Sequence, residues 1–393
     1  YSKHNSYRLI LALLLMMASI YANADKPDLK FRRLDTRNGL SNSQVNCILK
    51  DSKGFVWIGT QYGLNRYDGY RFREFHSNIK DSTALLSDYV DNLFEDVDGR
   101  IWVQQELKYC VYDPKTEQFE QNLSPWLNKA GVEGAVEKVY IDKRKNYWIK
   151  VWGGKLYYYN PSKNIKSNFV VDDAKYGPNS GLSSFDSYGK HTVMILKNGV
   201  IAALDGDKGK VVWVSNYVKQ RQTADVVNNS IYIDHDRNYW VMTDGNCYVY
   251  MQKTRKWYNG VNHLLRKLGF ADVPKVEMVT SAMEDRNGHM FLGTNHSGLF
   301  VLDFAKKRIY QYEKDINNET SFSDINVVCL YLDRSGQMWI GTSMGGVNQV
   351  VFGNTYVSNL KTGSVNTVTE DKDGNYWLGT NESGIYRYNP ITG

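Results

Sequence analysis

Gly341-Thr342-Ser343-Met344-Gly345 has the Gly-x-Ser-x-Gly spacing that can present a serine nucleophile. That chemistry needs a strand-to-helix turn, with a histidine and an acid in reach. Here the pentad lies in a recurring hairpin whose sister copies read GTQYG and GTNHSG, so the repeat itself accounts for it. Asp96-Val97-Asp98-Gly99 and Asp371-Lys372-Asp373-Gly374 resemble the start of a calcium loop. A full loop runs twelve residues to a bidentate glutamate; a Trp strand follows instead, and a tight turn is expected. His289 and His296 fall in one repeat without a third ligand, a weak basis for a metal site. No glycine-rich phosphate loop leads from a strand into a helix, and no histidine stands in a phospho-acceptor context. The reading is a binding protein without catalytic residues, cofactor or metal.

Binding chemistry is offered by short loops that follow each Trp-bearing segment. They carry Tyr62, then Gln104, Gln105 and Glu106, then Trp152. Further along come Asp244, Asn295 with His296, and Met344, while Tyr89 belongs to a second loop class. Aromatic faces stack on the C–H faces of sugar rings, and amides and acids hydrogen-bond to hydroxyls. The set therefore suits an oligosaccharide or another small polar ligand.

A repeat positions these loops. The pattern Asp-x-x-Gly-x-x-Trp-[IVL]-Gly-Thr has seven recognisable copies, the first being DSKGFVWIGT at residues 51–60 and the last DKDGNYWLGT at residues 371–380. A degenerate copy, LKNGVIAALD at residues 196–205, is placed in the one gap. Anchors at Trp57, Trp102, Trp148, Ala202, Trp240, Phe291, Trp339 and Trp377 give intervals of 45, 46, 54, 38, 51, 48 and 38. Such a period marks four-stranded propeller blades. An apolar run before the Asp is the innermost strand A, the Trp segment is strand B, and an aromatic segment such as GLNRYDG is strand C. YRFREF and KRIYQYE read as strand D, with the period of two that strands require. Trp is expected to fill the space between blades, with Trp213 compensating for Ala202. His263–Phe270 reads as one short helix.

The fold class is thus all-β, a propeller of seven four-stranded blades plus the start of a second propeller. Lys30–Leu34 (KFRRL) looks like a strand D and is expected to complete blade seven, which explains the short interval from Trp339 to Trp377. The expected domains are residues 25–355 for the first propeller and 356–393 for the opening blade of the second. A single eight-bladed ring is the alternative, and the equal interval from 202 to 240 weighs against the seven-plus-one count.

Lys3 and Arg8 precede a twelve-residue apolar stretch, Leu9 to Ile20, and Ala22-Asn23-Ala24. This predicts a signal peptide over residues 1–24, too short to span a bilayer. Cys47, Cys110, Cys247 and Cys329 match no metal spacing and sit in apolar strands, as small buried hydrophobes do. With 48 Lys and Arg scattered among 42 Asp and Glu, the net charge of +6 forms no basic block, which argues against nucleic-acid binding.

The segment GLSNSQVNCILKDSKGFVWIGTQYGLNRYDGYRF, residues 39–72, resembles the two-component-regulator propeller repeat, and the later GT-x-x-x-G hairpins are similar to it. The resemblance implies the periplasmic sensor region of a hybrid two-component histidine kinase, in which two propellers precede a β-sandwich, a membrane helix and cytoplasmic modules. It implies an oligosaccharide ligand, a parent protein in the inner membrane, tethering only through a region absent here, and signalling through propeller packing or a homodimer. A propeller lyase or hydrolase acting on a glycan, and a protein-interaction scaffold, are the competing functions.

Overall fold

The computed structural model describes residues 27, 29–222, 228–352, 364–372 and 374–389. The expected signal peptide lies outside them. The chain divides into two units, residues 1–351 and 352–393.

Among the described residues, the first unit holds seven four-stranded antiparallel sheets. Blade 1 runs Val45–Lys50, Val56–Thr60, Leu64–Tyr67 and Phe72–Phe75. The next five blades open with strands A at Asn92–Glu95, Val136–Ile141, Leu182–Tyr188, Ser230–Ile233 and Val279–Glu284. Blade 7 comprises Val327–Leu332, Met338–Thr342 and Val347–Phe352, and its fourth strand is Leu29–Leu34 from the other end of the unit. The A strands lie side by side around the ring, with blade 7 against blade 1. The second unit contains a three-stranded sheet, Val365–Glu370, Tyr376–Thr380 and Ile385–Tyr388.

The repeated Asp and Trp form a latch. In blade 1, Asp51 Oδ1 accepts the N–H groups of Lys53 and Phe55, closing the turn, while Oδ2 accepts the Trp57 indole N–H at 2.8 Å. The indole bond recurs from Trp102 to Asp96, Trp148 to Asp142, Trp240 to Asp234 and Trp339 to Asp333. Blade 6 has Phe291 in the Trp position, and there His289 Nδ1 lies 2.9 Å from Asp285 Oδ2. That occupies His289 with a turn. Asp96 is engaged likewise by the Asp98 and Arg100 N–H groups, the Arg100 guanidinium and Trp102. The buried Trp faces pack against the following blade: Trp57 with Tyr112, Trp148 with Phe185. The Thr of the Gly-Thr pair locks the next hairpin, since Thr60, Thr294 and Thr342 hydroxyls donate to the carbonyls of Gly63, Gly298 and Gly346 at 2.8–2.9 Å. Ser343 therefore sits in a strand–turn–strand hairpin, not at an elbow leading into a helix.

Blade 4 departs from the sequence reading. Its strand B is His191–Leu196, reached from strand A by the two-residue turn Gly189-Lys190. Ala202 lies on the third strand, Ile201–Asp205, opposite Met194. Most A strands open with a β-bulge; aligned on it, Trp57 opposite Leu49 corresponds to Val193 opposite Asp186. With Val193 as anchor, the intervals from Trp57 to Trp339 become 45, 46, 45, 47, 51 and 48. The 38-residue interval to Trp240 vanishes. Trp213 does not take the vacated place: it stands on the fourth strand and stacks on Tyr239 at 5.6 Å. The helix expected at His263–Phe270 is Val261–Lys267, with Leu264 and Leu265 buried; two further short helices, Ser124–Ala130 and Asp173–Tyr176, carry no periodic signal long enough to read.

All four cysteines are free thiols. Burial pushes Cys110 and Cys247 up to about 12.

An ion pair joins the two ends of the ring. Lys50 Nζ at the end of blade 1 strand A lies 2.7 Å from Asp333 Oδ2 in the blade 7 turn, and the Asp333 side chain is fully buried. Burial alone raises the Asp333 carboxyl. The Lys50 ammonium, the Ser335 hydroxyl, the Gln337 N–H and the Trp339 indole outweigh it and hold the group at about 2. A depressed folded-state value stabilises the fold above the unfolded value near 4, and that contribution is lost as pH falls toward 2. Lys50→Met is expected to cost about 1.5 kcal/mol at pH 7, and the gap to the parent should close between pH 4 and pH 2. Urea midpoints across that range measure it; a gap independent of pH would mean that Lys50 acts only through its alkyl packing.

Candidate functional site

The B–C loops and the first residues of the A strands share one end of the channel. The bulge that opens most A strands inserts a residue whose side chain leaves the ladder, a device that re-aims side chains. In blades 1, 4 and 6 these residues are Asn46, Ser183 and Thr280. Each donates to a carbonyl of the following blade: Asn46 to Val90 at 2.9 Å, Ser183 to Asn229 at 2.7 Å, and Thr280 to Val327 at 2.7 Å. The rim is thereby stitched blade to blade by polar groups. In blade 3 the bulge residue Glu137 instead pairs with Lys150, 3.2 Å away.

Blades 4, 5 and 6 together line a cavity of about 400 Å³ at this mouth. Asp244 and Asn295 contribute to it from two B–C loops, and Ser183, Asn229, Ser230 and Thr280 from the A-strand starts. Asn229 is 2% exposed; its amide nitrogen donates to the Leu196 carbonyl, while its Oδ1 has no hydrogen-bond partner. A buried acceptor without a donor costs about 1–3 kcal/mol. Lining of this kind, hydroxyls, amides and one carboxylate, matches a polyhydroxylated ligand.

A second cluster lies at blade 2. Asp91 accepts the Glu106 N–H and is hydrogen-bonded by Tyr89. Burial raises the Asp91 carboxyl above its ordinary value; the Glu106 N–H bond opposes this, and the Glu106 carboxylate charge adds to it. Burial likewise raises the Tyr89 hydroxyl, with Asp91 adding to it. The structure thus brings Tyr89 and Glu106 together around Asp91, which sequence reasoning missed.

The remaining candidates are spread around the ring. Tyr62 and Trp152 are 57% and 58% exposed, and Tyr62 stands 5.1 Å from the His76 ring. Met344 is exposed, its N–H donating to Asp324. His296 has φ +80° and gives its N–H to Asn326, so it closes a hairpin. Gln104 donates to the Glu106 carbonyl. Gln105 is a correction: it is 1% exposed, donates to the Ser87 carbonyl and accepts from the Leu86 N–H. Alternation along strand B turns Gln104 and Gln105 to opposite faces, and Gln105 is the one turned into the blade. The bulge residues were missed because in sequence they are ordinary strand positions.

Among the described residues no helix is long and apolar enough to cross a membrane.

The two component regulator propeller family matches residues 39–62, 321–344 and 359–382. Histidine kinase P4 of Formosa agariphila is 34% identical over 73 residues, which cover 19% of this chain and 5% of that protein. Among solved structures, the extracellular domain of a B. thetaiotaomicron protein described as a hybrid two component system superposes with a TM-score of 0.63 at 19% identity, covering 92% of this chain and 48% of that one. A second extracellular domain from the same organism, described as a one component system, gives 0.62 at 20% identity, covering 92% and 46%. The WD40 propeller domain of Doa1 gives 0.56 at 9% identity, covering 85% and 100%. The chain spans about half the length of the two bacterial structures. These likenesses establish a β-propeller fold. The signature of the two component regulator propeller is matched in blade 1, in blade 7 and again in the second unit.

Proposed function

We propose that this chain is the extracytoplasmic ligand-sensing part of a hybrid two-component sensor, and that its ligand is an oligosaccharide held at the channel mouth of blades 4–6. The observation that carries the reading is the cavity lined by Asp244, Asn295, Asn229 and five hydroxyl side chains. Three blades meet there, so a ligand bridging them changes how the blades bear on one another. A signal then passes to a kinase region elsewhere in the parent protein, through propeller packing or a homodimer. The fragment acts by binding, not by turnover.

A thermal-shift screen against plant and host oligosaccharides tests this. A ligand at a hundred times its dissociation constant stabilises by about 2.7 kcal/mol. Asp244→Ala and Asn295→Ala are each expected to weaken binding about tenfold, as loss of one hydrogen bond to a polar ligand does. A hit accompanied by breakdown of the sugar would point to a glycan-cleaving enzyme. Silence across the panel would favour a protein-interaction scaffold.

A further inference from the structure

Blade 4 is the one blade of the ring without a large aromatic at the anchor. Val193 occupies that position, and the face it presents to blade 5 borders a cleft of about 530 Å³, within the range of about 300–1,000 Å³ usual for small-molecule sites. Elsewhere a Trp or Phe fills this space. Here the opposite wall is a row of aromatic side chains in cross-strand register across blade 5. Tyr239 lies opposite Tyr250, and Tyr250 opposite Trp257. Their ring centroids are 5.5 and 5.2 Å apart, and Trp213 of blade 4 extends the row, stacked on Tyr239 at 17°. Three of these strands end in turns at the open edge of the cleft.

The charged groups in the lining are all of one sign. Arg237 and Arg255 stand there with His191 and Gln252, and no carboxylate is part of the wall. The Arg237 guanidinium lies over the Tyr188 ring at 4.7 Å. Both arginines occupy left-handed backbone positions, φ +66° and +54°. The A–B turn position of Arg237 is glycine in blades 1, 2, 6 and 7, at Gly54, Gly99, Gly288 and Gly336. An L-residue there costs about 1–2 kcal/mol that glycine avoids. Lys145 meets the same cost in blade 3 but is ion-paired to Glu95 at 2.8 Å. Arg237 instead turns to an aromatic cleft.

We propose that this cleft is a second ligand site, taking an acidic saccharide unit whose ring stacks on the Tyr239–Tyr250–Trp257 row and whose carboxylate or sulfate is held by Arg237 and Arg255. Stacking on aromatic faces and charge-assisted bonds to guanidinium supply the two halves of the recognition. The site is separate from the channel mouth and stands or falls apart from it.

Calorimetric titration of the full chain with three probes tests the proposal: tetragalacturonate for the carboxylate, a chondroitin sulfate tetrasaccharide for the sulfate, and neutral galactotetraose. At least one anionic probe is expected to bind at least tenfold more tightly than the neutral one, and the arm that binds names the anion. Arg237→Gly relieves the backbone strain, so it should fold, and should weaken that binding tenfold or more. Val193→Trp restores the aromatic of the other blades and should abolish binding by filling the cleft; its circular dichroism spectrum confirms folding. Asp244→Ala, at the mouth, should leave this binding within twofold. Failure of both anionic probes, equal binding of the neutral one, or binding that survives either cleft variant would overturn the proposal.

Discussion

Trp148→Ala is expected to lower the free energy of unfolding by about 3–5 kcal/mol, the range for deleting a fully buried large aromatic side chain. Trp148 has no exposed surface, packs on Tyr158 and Phe169 at ring distances of 4.7 and 5.7 Å, and reaches across to Phe185 of blade 4. Its removal opens a cavity at an interface between rigid sheets that cannot close around it. It also takes one donor from the buried Asp142, which keeps the Asn146 amide. Two companion variants separate these effects. Trp148→Phe keeps most of the volume and should cost about 1 kcal/mol for the lost indole bond. Trp377→Ala removes the equivalent side chain in the second unit, where it is 39% exposed yet still bonds Asp371 at 2.9 Å, and should cost well under half as much. Urea midpoints for the three variants decide the matter. Equal losses for Trp148→Ala and Trp377→Ala would show that the hairpin latch, and not packing between blades, carries the stability.

Removing residues 1–34 is expected to have a comparable or greater effect. Leu29, Phe31 and Leu34 are buried in the blade 7 sheet and its neighbours, each contributing about 1.5–3 kcal/mol by burial. Phe31 packs on Phe322 and Tyr312 at 5.1 and 5.8 Å, and its N–H donates to the Thr320 carbonyl. Arg33 donates to the Gly345 carbonyl. The sum, roughly 5–9 kcal/mol, approaches the whole stability of an ordinary domain. The truncated chain also leaves Val347–Phe352 as an open edge, a template for pairing with other chains. Size-exclusion chromatography with light scattering should show higher oligomers than the parent chain, or aggregate, and a synthetic peptide spanning residues 27–35 should restore the parent's size. A truncated chain with the parent's size and an unchanged urea midpoint would refute the role given to this strand.

The parts of this fold legible in sequence are those where a side chain does two jobs. Asp51 and its counterparts close a turn and hold an indole, so the pair is retained in a fixed spacing that can be read without any structure. Thr60 and its counterparts lock a hairpin in the same way. Blade 4 was illegible because Gly189-Lys190 replaces the Asp turn and Val193 replaces the Trp, which left LKNG, a B–C turn, as the nearest imitation. At the mouth, Asp244 and Asn295 could be read as loop residues. Ser183 and Thr280 could not, because a β-bulge changes where a side chain points without changing its type. Asn229 announces itself only through burial, which depends on blades 46 residues apart in sequence meeting in space.

The fourth strand of blade 7 has a consequence for how the protein is made. Arg33 and Gly345, which meet in that sheet, are 312 residues apart. At synthesis rates of about 5–20 residues per second, roughly 15–60 seconds separate the emergence of the first strand from that of its partner. For that interval the segment LKFRRL must wait with its backbone unpaired. Three cationic residues, Lys30, Arg32 and Arg33, set between the buried Leu29, Phe31 and Leu34 suit such a wait: they discourage pairing with a neighbouring nascent chain while leaving the apolar side chains ready for the last blade. Ring closure is then a late event of biosynthesis, and the charges that hold Arg33 to Gly345 in the finished propeller also guard the strand until its partner arrives.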